Sequence, residues 1–211
     1  MIKTKQDLRF FIAADRIMNG LSPKRNIKEI IIGVFEPGYR GGVIINYLRC
    51  LRHYAYFRNK RKRRLSLSAL QLFYWYHRYS RLSLKLGFTI GPNTLGYGVV
   101  IPHFGTIVIN GDVRIGNYAV LHTSTCVAGG NKEIGDFFYL SAGSQLVGSL
   151  RIGDGVSVAA HSLVNHSCAD HCLLVGAPAE VKKTNYPLWV ERDGETYKKR
   201  VEGVEKLKMR L

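Results

Sequence analysis

The sequence has few cysteines and no long apolar run, and each shortage excludes a class of protein. Four cysteines in 211 residues are too few for a disulfide scaffold, so we expect Cys50, Cys126, Cys168 and Cys172 to be free thiols. No stretch approaches the ~20 apolar residues that cross a bilayer. The N-terminus lacks the apolar core of a secretory signal, so we expect a cytoplasmic protein.

Acidic residues are also scarce, because 15 Asp and Glu stand against 31 Lys and Arg. Residues 1–87 carry a net charge of +15, residues 88–180 carry −3 and residues 181–211 carry +4. The densest basic cluster, residues 60–64, lies between segments rich in tyrosine and phenylalanine. This combination is typical of nucleic-acid binders and of anionic membrane surfaces, and it also occurs in solvated loops. No zinc-finger spacing or RNP-like strand accompanies the cluster. We therefore expect no nucleic acid and keep the membrane surface and the solvated loop open.

The N-terminal region is predicted to be helical. Apolar residues at three- and four-residue steps predict one helix over about 8–18 and another over 43–57. Residues 36–42, which contain one proline and three glycines, predict a turn-rich connector between them. A third helix is predicted over about 68–86, and Gly87 ends it.

From residue 90 onward the sequence follows a period of six. We call the first residue of each six the lead position. Ten consecutive lead positions are aliphatic, whereas a composition that is 46% hydrophobic gives such a run with a probability on the order of 10⁻³. One stretch, after Val127, is a residue longer than the others. The lead positions are Ile109, Ile115, Leu121, Val127, Ile134, Leu140, Leu146, Ile152, Val158 and Val164.

A six-residue period is that of a parallel β-helix. Each six forms one short strand and one corner, three sixes close a triangular coil, and coils stack at the ~4.8 Å strand spacing with the lead residues inward. A sandwich of short strands would show period-two alternation instead. The predicted fold is therefore mainly β: a parallel β-helix over 88–180, an α-helical region over 1–87, and a tail over 181–211 with a possible helix near Tyr197 and Val204.

Hexapeptides led by Ile-Gly, the segment Ile101-Pro-His-Phe-Gly-Thr-Ile-Val-Ile109 and the closing Val-Gly-Ala-Pro-Ala-Glu-Val-Lys at 175–182 resemble the left-handed β-helix acyltransferases. Within them the chain resembles the serine acetyltransferase branch, especially members from polysaccharide-biosynthesis clusters. The resemblance covers about residues 66–183. It implies a left-handed coil, a homotrimer and acetyl-CoA as co-substrate, bound outside the coil in a cleft between two chains.

The resemblance also implies a catalytic base, because His103 stands at the position of the family's catalytic histidine. A neutral imidazole with a pKa near 6.5 accepts a proton from the acceptor's hydroxyl and returns it to the thiol of CoA. The other interpretation of His103 is a histidine that caps a corner or lies on the surface. His122, about one coil further on, is predicted as a second site residue; Asn110 and Asp112 are the other candidates to orient His103.

For acetyl-CoA the resemblance implies mainly backbone contacts. Small residues at Gly129, Ala142 and Ala160 would let the pantetheine arm lie against the coil. Lys182 and Lys183 suit the 3′-phosphate or pyrophosphate, or else form an exposed pair of charges. The phosphate-binding pattern GxxxxGK[ST] does not occur, so we do not expect a nucleoside triphosphate.

The acceptor is predicted from the departures from the family pattern. Pro102 stands where the family has an acidic residue, Phe88 stands where it has another carboxylate, and the short segment 129–133 lacks the family's Arg-His pair. An amino acid needs counter-charges for its ammonium and carboxylate groups. We therefore predict a hydroxyl of a sugar or glycan precursor, with Phe88 and Phe104 as an apolar wall. The alternatives are serine O-acetylation in cysteine biosynthesis and a non-catalytic scaffold.

A zinc site is the weaker interpretation of His166, Cys168, His171 and Cys172. These side chains are suitable zinc ligands, but no second Cys/His pair follows at zinc-finger spacing. We therefore predict no metal.

Overall fold

A computed structural model describes residues 1–26, 29, 42–60 and 67–210. Residues 36–41 of the predicted connector and residues 61–64 of the basic cluster lie outside these ranges. The predicted N-terminal helices are confirmed, and the tail contains two more. The described helices are α1 (Lys5–Met18), α2 (Val43–Lys60), α3 (Leu67–Leu86), α4 (Trp189–Arg192) and α5 (Glu195–Met209).

Local signals set the ends of these helices. α1 begins with a capping box, in which the Asp7 amide donates to Thr4 Oγ1 at 3.0 Å and the Thr4 amide donates to Asp7 Oδ2 at 2.9 Å. α3 ends at Gly87, whose φ of +76° favours glycine. The Gly87 carbonyl then accepts from the Ile107 amide at 3.1 Å, so the end of α3 is tied to the first coil.

Thirteen short strands follow α3. All described pairings between them are parallel except the last, in which β12 and β13 form an antiparallel hairpin. The strands are β1 (Phe88–Ile90), β2 (Ile107–Ile109), β3 (Val113–Ile115), β4 (Val120–Leu121), β5 (Thr125–Val127), β6 (Lys132–Ile134), β7 (Tyr139–Leu140), β8 (Gln145–Leu146), β9 (Leu150–Ile152), β10 (Ser157–Val158), β11 (Leu163–Val164), β12 (Leu173–Gly176) and β13 (Ala179–Lys183).

The strands form three sheets that are the three faces of a prism. Face A contains β1, β2, β5, β8 and β11, face B contains β3, β6 and β9, and face C contains β4, β7, β10, β12 and β13. Strand partners on adjacent coils are 18 residues apart at Ile107 and Thr125, and 19 apart at Val120 and Tyr139, where the longer stretch intervenes. The protein is a left-handed parallel β-helix preceded by a helical region, as predicted.

The lead positions of the repeat fill the interior of the prism. All ten are at most 5% exposed, while the middle residues of β3, β6 and β9 are exposed. The same core continues into the helical region, because Tyr47, Leu48 and Leu51 of α2 belong to it. The hydrophobic effect of this continuous core holds the coils and α2 together.

The glycine that follows several lead residues leaves room for a carboxylate from the next coil. A Cβ at Gly116 would overlap Asp136 Oδ1, and a Cβ at Gly135 would overlap Asp154 Oδ1. The backbone amides of Asn117 and Asp136 donate to these two carboxylates, each at 2.7 Å. The Ile-Gly-Asp pattern thus forms a ladder of hydrogen bonds along the edge between faces B and C.

The outer side of face C is covered by helices. Phe10 of α1, Trp189 of α4 and Val204 of α5 form a second cluster with Tyr118 and Val120 of the solenoid. The tail helix α5 therefore packs on its own chain. β13 runs across residue 180, where the β-helix was predicted to end. None of the described helices is both long and apolar enough to cross a membrane.

Candidate active site

His103 lies on an enlarged corner between face C and face A. The step from Val100 to Ile107 is two residues longer than the equivalent step from Val120 to Thr125 in the next coil. The extra residues extend outward, so His103 is exposed and the neighbouring Phe104 is 67% exposed. We call residues 102–106 the histidine corner.

Glycine holds the histidine corner close to the coil above it. Gly105 has a φ of +132°, and a Cβ there would overlap Thr123 Oγ1. The Gly105 amide donates to the Leu86 carbonyl at 3.0 Å, which ties the corner to the end of α3. The conformation around His103 is thus determined by contacts on both sides.

His122 lies on the same edge of the prism, one coil further on. Its side chain is half-buried, and its Nε2 is 2.9 Å from Tyr139 Oη. Burial lowers the pKa of His122, the charge of His103 lowers it further, and Asp193 opposes both effects. The structure therefore places the two predicted histidines within electrostatic reach of each other.

The C-terminal segment supplies further groups to this edge. Arg192 lies over the ring of Tyr139, with 5.2 Å from its Cζ to the ring centroid, and donates to Ser157 Oγ at 3.0 Å. Burial and the charge of Asp193 raise the pKa of Tyr139. Tyr139 therefore keeps its proton at neutral pH, so its hydroxyl can donate to an uncharged His122.

The other predicted neighbours of His103 lie elsewhere. Asn110 and Asp112 follow β2, whereas His103 precedes it, so face A separates them from the histidine corner. The prediction that Phe88 forms a wall for the acceptor is wrong. Phe88 is 2% exposed, and its ring packs in the core 5.0 Å from that of Tyr47. Because side chains alternate along a strand, the exposed residue of β1 is Thr89.

The residues predicted to bind acetyl-CoA occupy three places. Ala142 and Ala160 lie on the same edge as His122, since the Gly143 amide donates to Thr123 O at 3.2 Å and the His161 amide donates to Ala142 O at 3.0 Å. Both alanines are at least partly exposed. This edge therefore offers a wall of small side chains next to the histidines.

Gly129 and the two lysines are not on that edge. Gly129 has a φ of +71° and lies across face A, where its carbonyl accepts from Lys132 Nζ at 2.6 Å. Lys182 and Lys183 are exposed at the end of β13, and Lys183 pairs with Leu173. The turn of the β12–β13 hairpin is at the histidine edge, so the lysines lie on the opposite side of face C.

Known proteins resemble this chain in sequence and in fold. Serine acetyltransferase 4 of Arabidopsis thaliana is 34% identical over 131 residues, which are 58% of this chain and 34% of that protein. The serine acetyltransferase of Bacillus subtilis is 30% identical over 107 residues, 47% of this chain and 49% of that protein. No family model matches the chain.

The chain is thus similar in sequence to serine acetyltransferases over about half of its length. A solved serine acetyltransferase in complex with CoA has the same fold, with a TM-score of 0.59 and 16% identity, covering 81% of this chain and 68% of that one. The serine acetyltransferase of Brucella abortus gives a TM-score of 0.57 at 17% identity, covering 85% and 84%. The chain spans about a third to a half of the length of the curated relatives it matches.

No metal-binding cluster occurs in this protein among residues 1–26, 29, 42–60 and 67–210. No group of three or more His, Cys, Asp or Glu side chains there is arranged to hold a metal ion, and His166, Cys168, His171 and Cys172 belong to the described part. All four cysteines are free thiols.

Sequence reasoning missed the tail's part of the site. Tyr139 directly precedes the lead residue Leu140, and residues next to a lead point outward, so the repeat already placed Tyr139 on the surface of face C. Arg192 and Asp193 follow the last coil and have no repeat position. No sequence signal located them beside Tyr139.

Proposed function

We propose that the protein is an acetyl-CoA-dependent O-acetyltransferase with His103 as the general base. The observation that carries this proposal is the exposed His103 on an enlarged corner, beside His122, in a chain related to serine acetyltransferases. A structural neighbour is described as a complex with CoA, which supports acetyl-CoA as the co-substrate.

The proposed reaction is a direct transfer. The acceptor's hydroxyl oxygen attacks the thioester carbonyl carbon while the imidazole of His103 takes the hydroxyl proton. The carbon–sulfur bond then breaks, and the proton passes from the imidazole to the CoA sulfur. Tyr139 holds His122 through the hydrogen bond to Nε2, and an uncharged His122 does not repel the imidazolium that forms on His103.

The edge beside the histidines suits the donor, because Ala142 and Ala160 leave space that larger side chains would fill. We propose that the pantetheine arm lies along this edge. Gly129, at the opposite border of face A, is the third small residue proposed to contact it. The phosphates are at the far end of an extended CoA from its thioester. Lys182 and Lys183, exposed beyond the last coil, are the cations proposed to bind them.

L-Serine and a sugar hydroxyl are the two candidate acceptors. The names of the relatives favour L-serine, so the comparisons support this alternative better than a glycan precursor. One observation favours the sugar. No Asp or Glu occurs between residues 37 and 111, the segment that contains β1 and the histidine corner. This segment therefore has no carboxylate that could pair with the ammonium group of an amino acid.

Release of free CoA thiol tests the function and the acceptor together. We expect acetyl-CoA to be consumed well above its hydrolysis rate with L-serine or with a panel of methyl hexopyranosides. Turnover with L-serine alone would assign the protein to serine O-acetylation, and turnover with glycosides alone would assign it to glycan modification. If neither acceptor is used and acetyl-CoA does not bind, the proposal is wrong and the protein is a non-catalytic solenoid.

We also propose a cytoplasmic homotrimer with the site in a cleft between chains. The exposed Phe104 and the exposed outward side chains of Thr89 and Gln145 on face A support this arrangement, because they leave that face free for another chain. Light scattering of the purified protein measures the assembly, and a monomer at micromolar concentration would contradict it.

The helical region is proposed to contact an anionic membrane surface from the cytoplasmic side. Leu70, Phe73 and Leu84 lie along one side of α3, and each is more than two-thirds exposed. Arg81 and Lys85 flank them, and the segment from residue 37 to residue 111 contains 12 Lys and Arg but no Asp or Glu. An apolar stripe inside a cationic surface is the arrangement that binds anionic lipid headgroups.

Vesicle sedimentation tests this contact. We expect binding to vesicles that contain phosphatidylglycerol and at least a tenfold loss in the double variant Phe73→Ser, Leu84→Ser, because both apolar anchors are removed. The control is Val147→Ser, which changes an exposed apolar residue of the solenoid. Equal binding to pure phosphatidylcholine vesicles would contradict the proposal. The proposal would also be contradicted if the wild type bound no vesicles but self-associated, and the double variant abolished that self-association.

A further inference from the structure

A cavity of about 590 Å³ lies between α2, α3 and the first coil. Three tyrosines form its aromatic part: the ring centroids of Tyr54 and Tyr76 are 5.3 Å apart, and those of Tyr54 and Tyr79 are 5.2 Å apart. Ser80 and Ser83 also line it. None of the described residues that line this cavity is charged, so it is a neutral surface of rings and hydroxyl groups. We call it the tyrosine cavity.

Hydroxyl groups lie at the inner wall of the tyrosine cavity. Tyr79 Oη donates to the Ile90 carbonyl at 2.6 Å. Ser83 interacts with the side chains of Tyr79 and of Tyr47, the latter in the core nearby. The cavity therefore combines aromatic rings with hydroxyl groups, which suits a neutral polar ligand.

The rim of the tyrosine cavity adjoins the histidine corner. Gly87 and Thr89 are on its rim, and Thr89 is the exposed residue of β1. The backbone of Gly87 is in contact with that of Gly105, since a Cβ on Gly87 would lie 3.2 Å from the Gly105 carbonyl carbon. Gly105 is two residues after His103. A molecule in the cavity that extends across Gly87 would therefore approach the histidine corner.

We propose that the tyrosine cavity binds the acceptor and that the acceptor is a neutral polyhydroxyl compound of the sugar class. Rings with a few hydroxyl donors and acceptors suit the apolar faces and hydroxyl groups of a sugar. A free amino acid would enter this cavity with an ammonium and a carboxylate that meet no counter-charge. This inference rests on the proposed acetyltransferase function, for which it names the substrate class.

Two tyrosines of α3 give a matched pair of variants. Tyr76 lines the cavity and Tyr74 does not, yet they are 48% and 50% exposed. With a methyl hexopyranoside as acceptor, we expect Tyr76→Ala to raise KM at least tenfold with kcat within threefold, because a stacking surface is lost but not the base. Tyr74→Ala should change both values less than twofold.

The outcomes separate this inference from the proposed function. If CoA thiol is released with L-serine and Tyr76→Ala leaves the KM for L-serine unchanged, the cavity is not the acceptor site, although the acetyltransferase stands. If no acceptor supports turnover, the acetyltransferase proposal fails, and saturation-transfer NMR with the same glycosides still tests the cavity. Saturation transfer from the wild type to the glycosides that is lost in Tyr76→Ala supports the cavity as a sugar site. Absence of saturation transfer from the wild type overturns it.

Discussion

Replacing His103 by alanine is expected to lower kcat/KM for acetyl transfer about 10²–10⁴-fold, the usual contribution of a general base. The acceptor's hydroxyl has a high pKa, so without the imidazole its proton must pass to water as the oxygen attacks. The affinity for acetyl-CoA should change less than threefold, because the base acts on the acceptor. Thiol release measures the rate, and calorimetric titration with acetyl-CoA measures donor binding.

His166→Ala is the control for this loss. His166 is also an exposed histidine of the solenoid, but it follows β11 on the edge between faces A and B, away from the histidine corner. We expect near wild-type turnover from His166→Ala. Turnover of His103→Ala close to that of the wild type would remove His103 from the mechanism and leave it a surface histidine.

Replacing Arg52 by methionine is expected to give the largest loss of stability. Arg52 Nε is 2.8 Å from Asp15 Oδ2, and the side chains of the two residues are 1% and 2% exposed. Arg52 Nη1 also donates to the Leu95 carbonyl at 2.8 Å, and Asp15 Oδ1 accepts from the Val99 amide at 3.1 Å. One ion pair thus joins α1, α2 and the first coil.

The loss should be about 3–5 kcal/mol, because Asp15 would keep a buried charge without its counter-ion. At roughly 2–4 °C per kcal/mol for a chain of this size, Tm should fall by about 6–20 °C. Urea denaturation measures the free energy of unfolding, and Arg52→Lys, which keeps a cation, should lose less. If Arg52→Met does not fold, the Lys variant still shows whether the charge matters.

The control for Arg52→Met is an exposed ion pair of the same kind. Arg151 Nη2 is 3.1 Å from Glu133 Oε2, but these side chains are 82% and 71% exposed. Solvent screens such a pair, so Arg151→Met should cost at most about 1 kcal/mol. Equal losses from the two variants would show that burial does not set the strength of the Asp15–Arg52 pair.

Part of the candidate site was predictable because it follows the repeat. His103 and His122 are 19 residues apart, about one coil, and the structure places both on one edge. The prediction for Phe88 was wrong because, in a three-residue strand, either the two outer side chains or the middle side chain can face the core. The core accepts the larger apolar ring, so Phe88 points inward and Thr89 points out.

The sequence alone determined the prism: a strict six-residue period allows the lead side chains one common interior, and Gly-Asp steps mark its hydrogen-bonded edge. Only the tertiary structure decided what covers that prism. The Trp189 indole donates to the Tyr118 carbonyl at 2.9 Å across 71 residues, and the Arg192 guanidinium lies over the ring of Tyr139. Such contacts join segments that share no period. Their position depends on which surfaces remain apolar once the coil has formed, and a linear pattern does not contain that information.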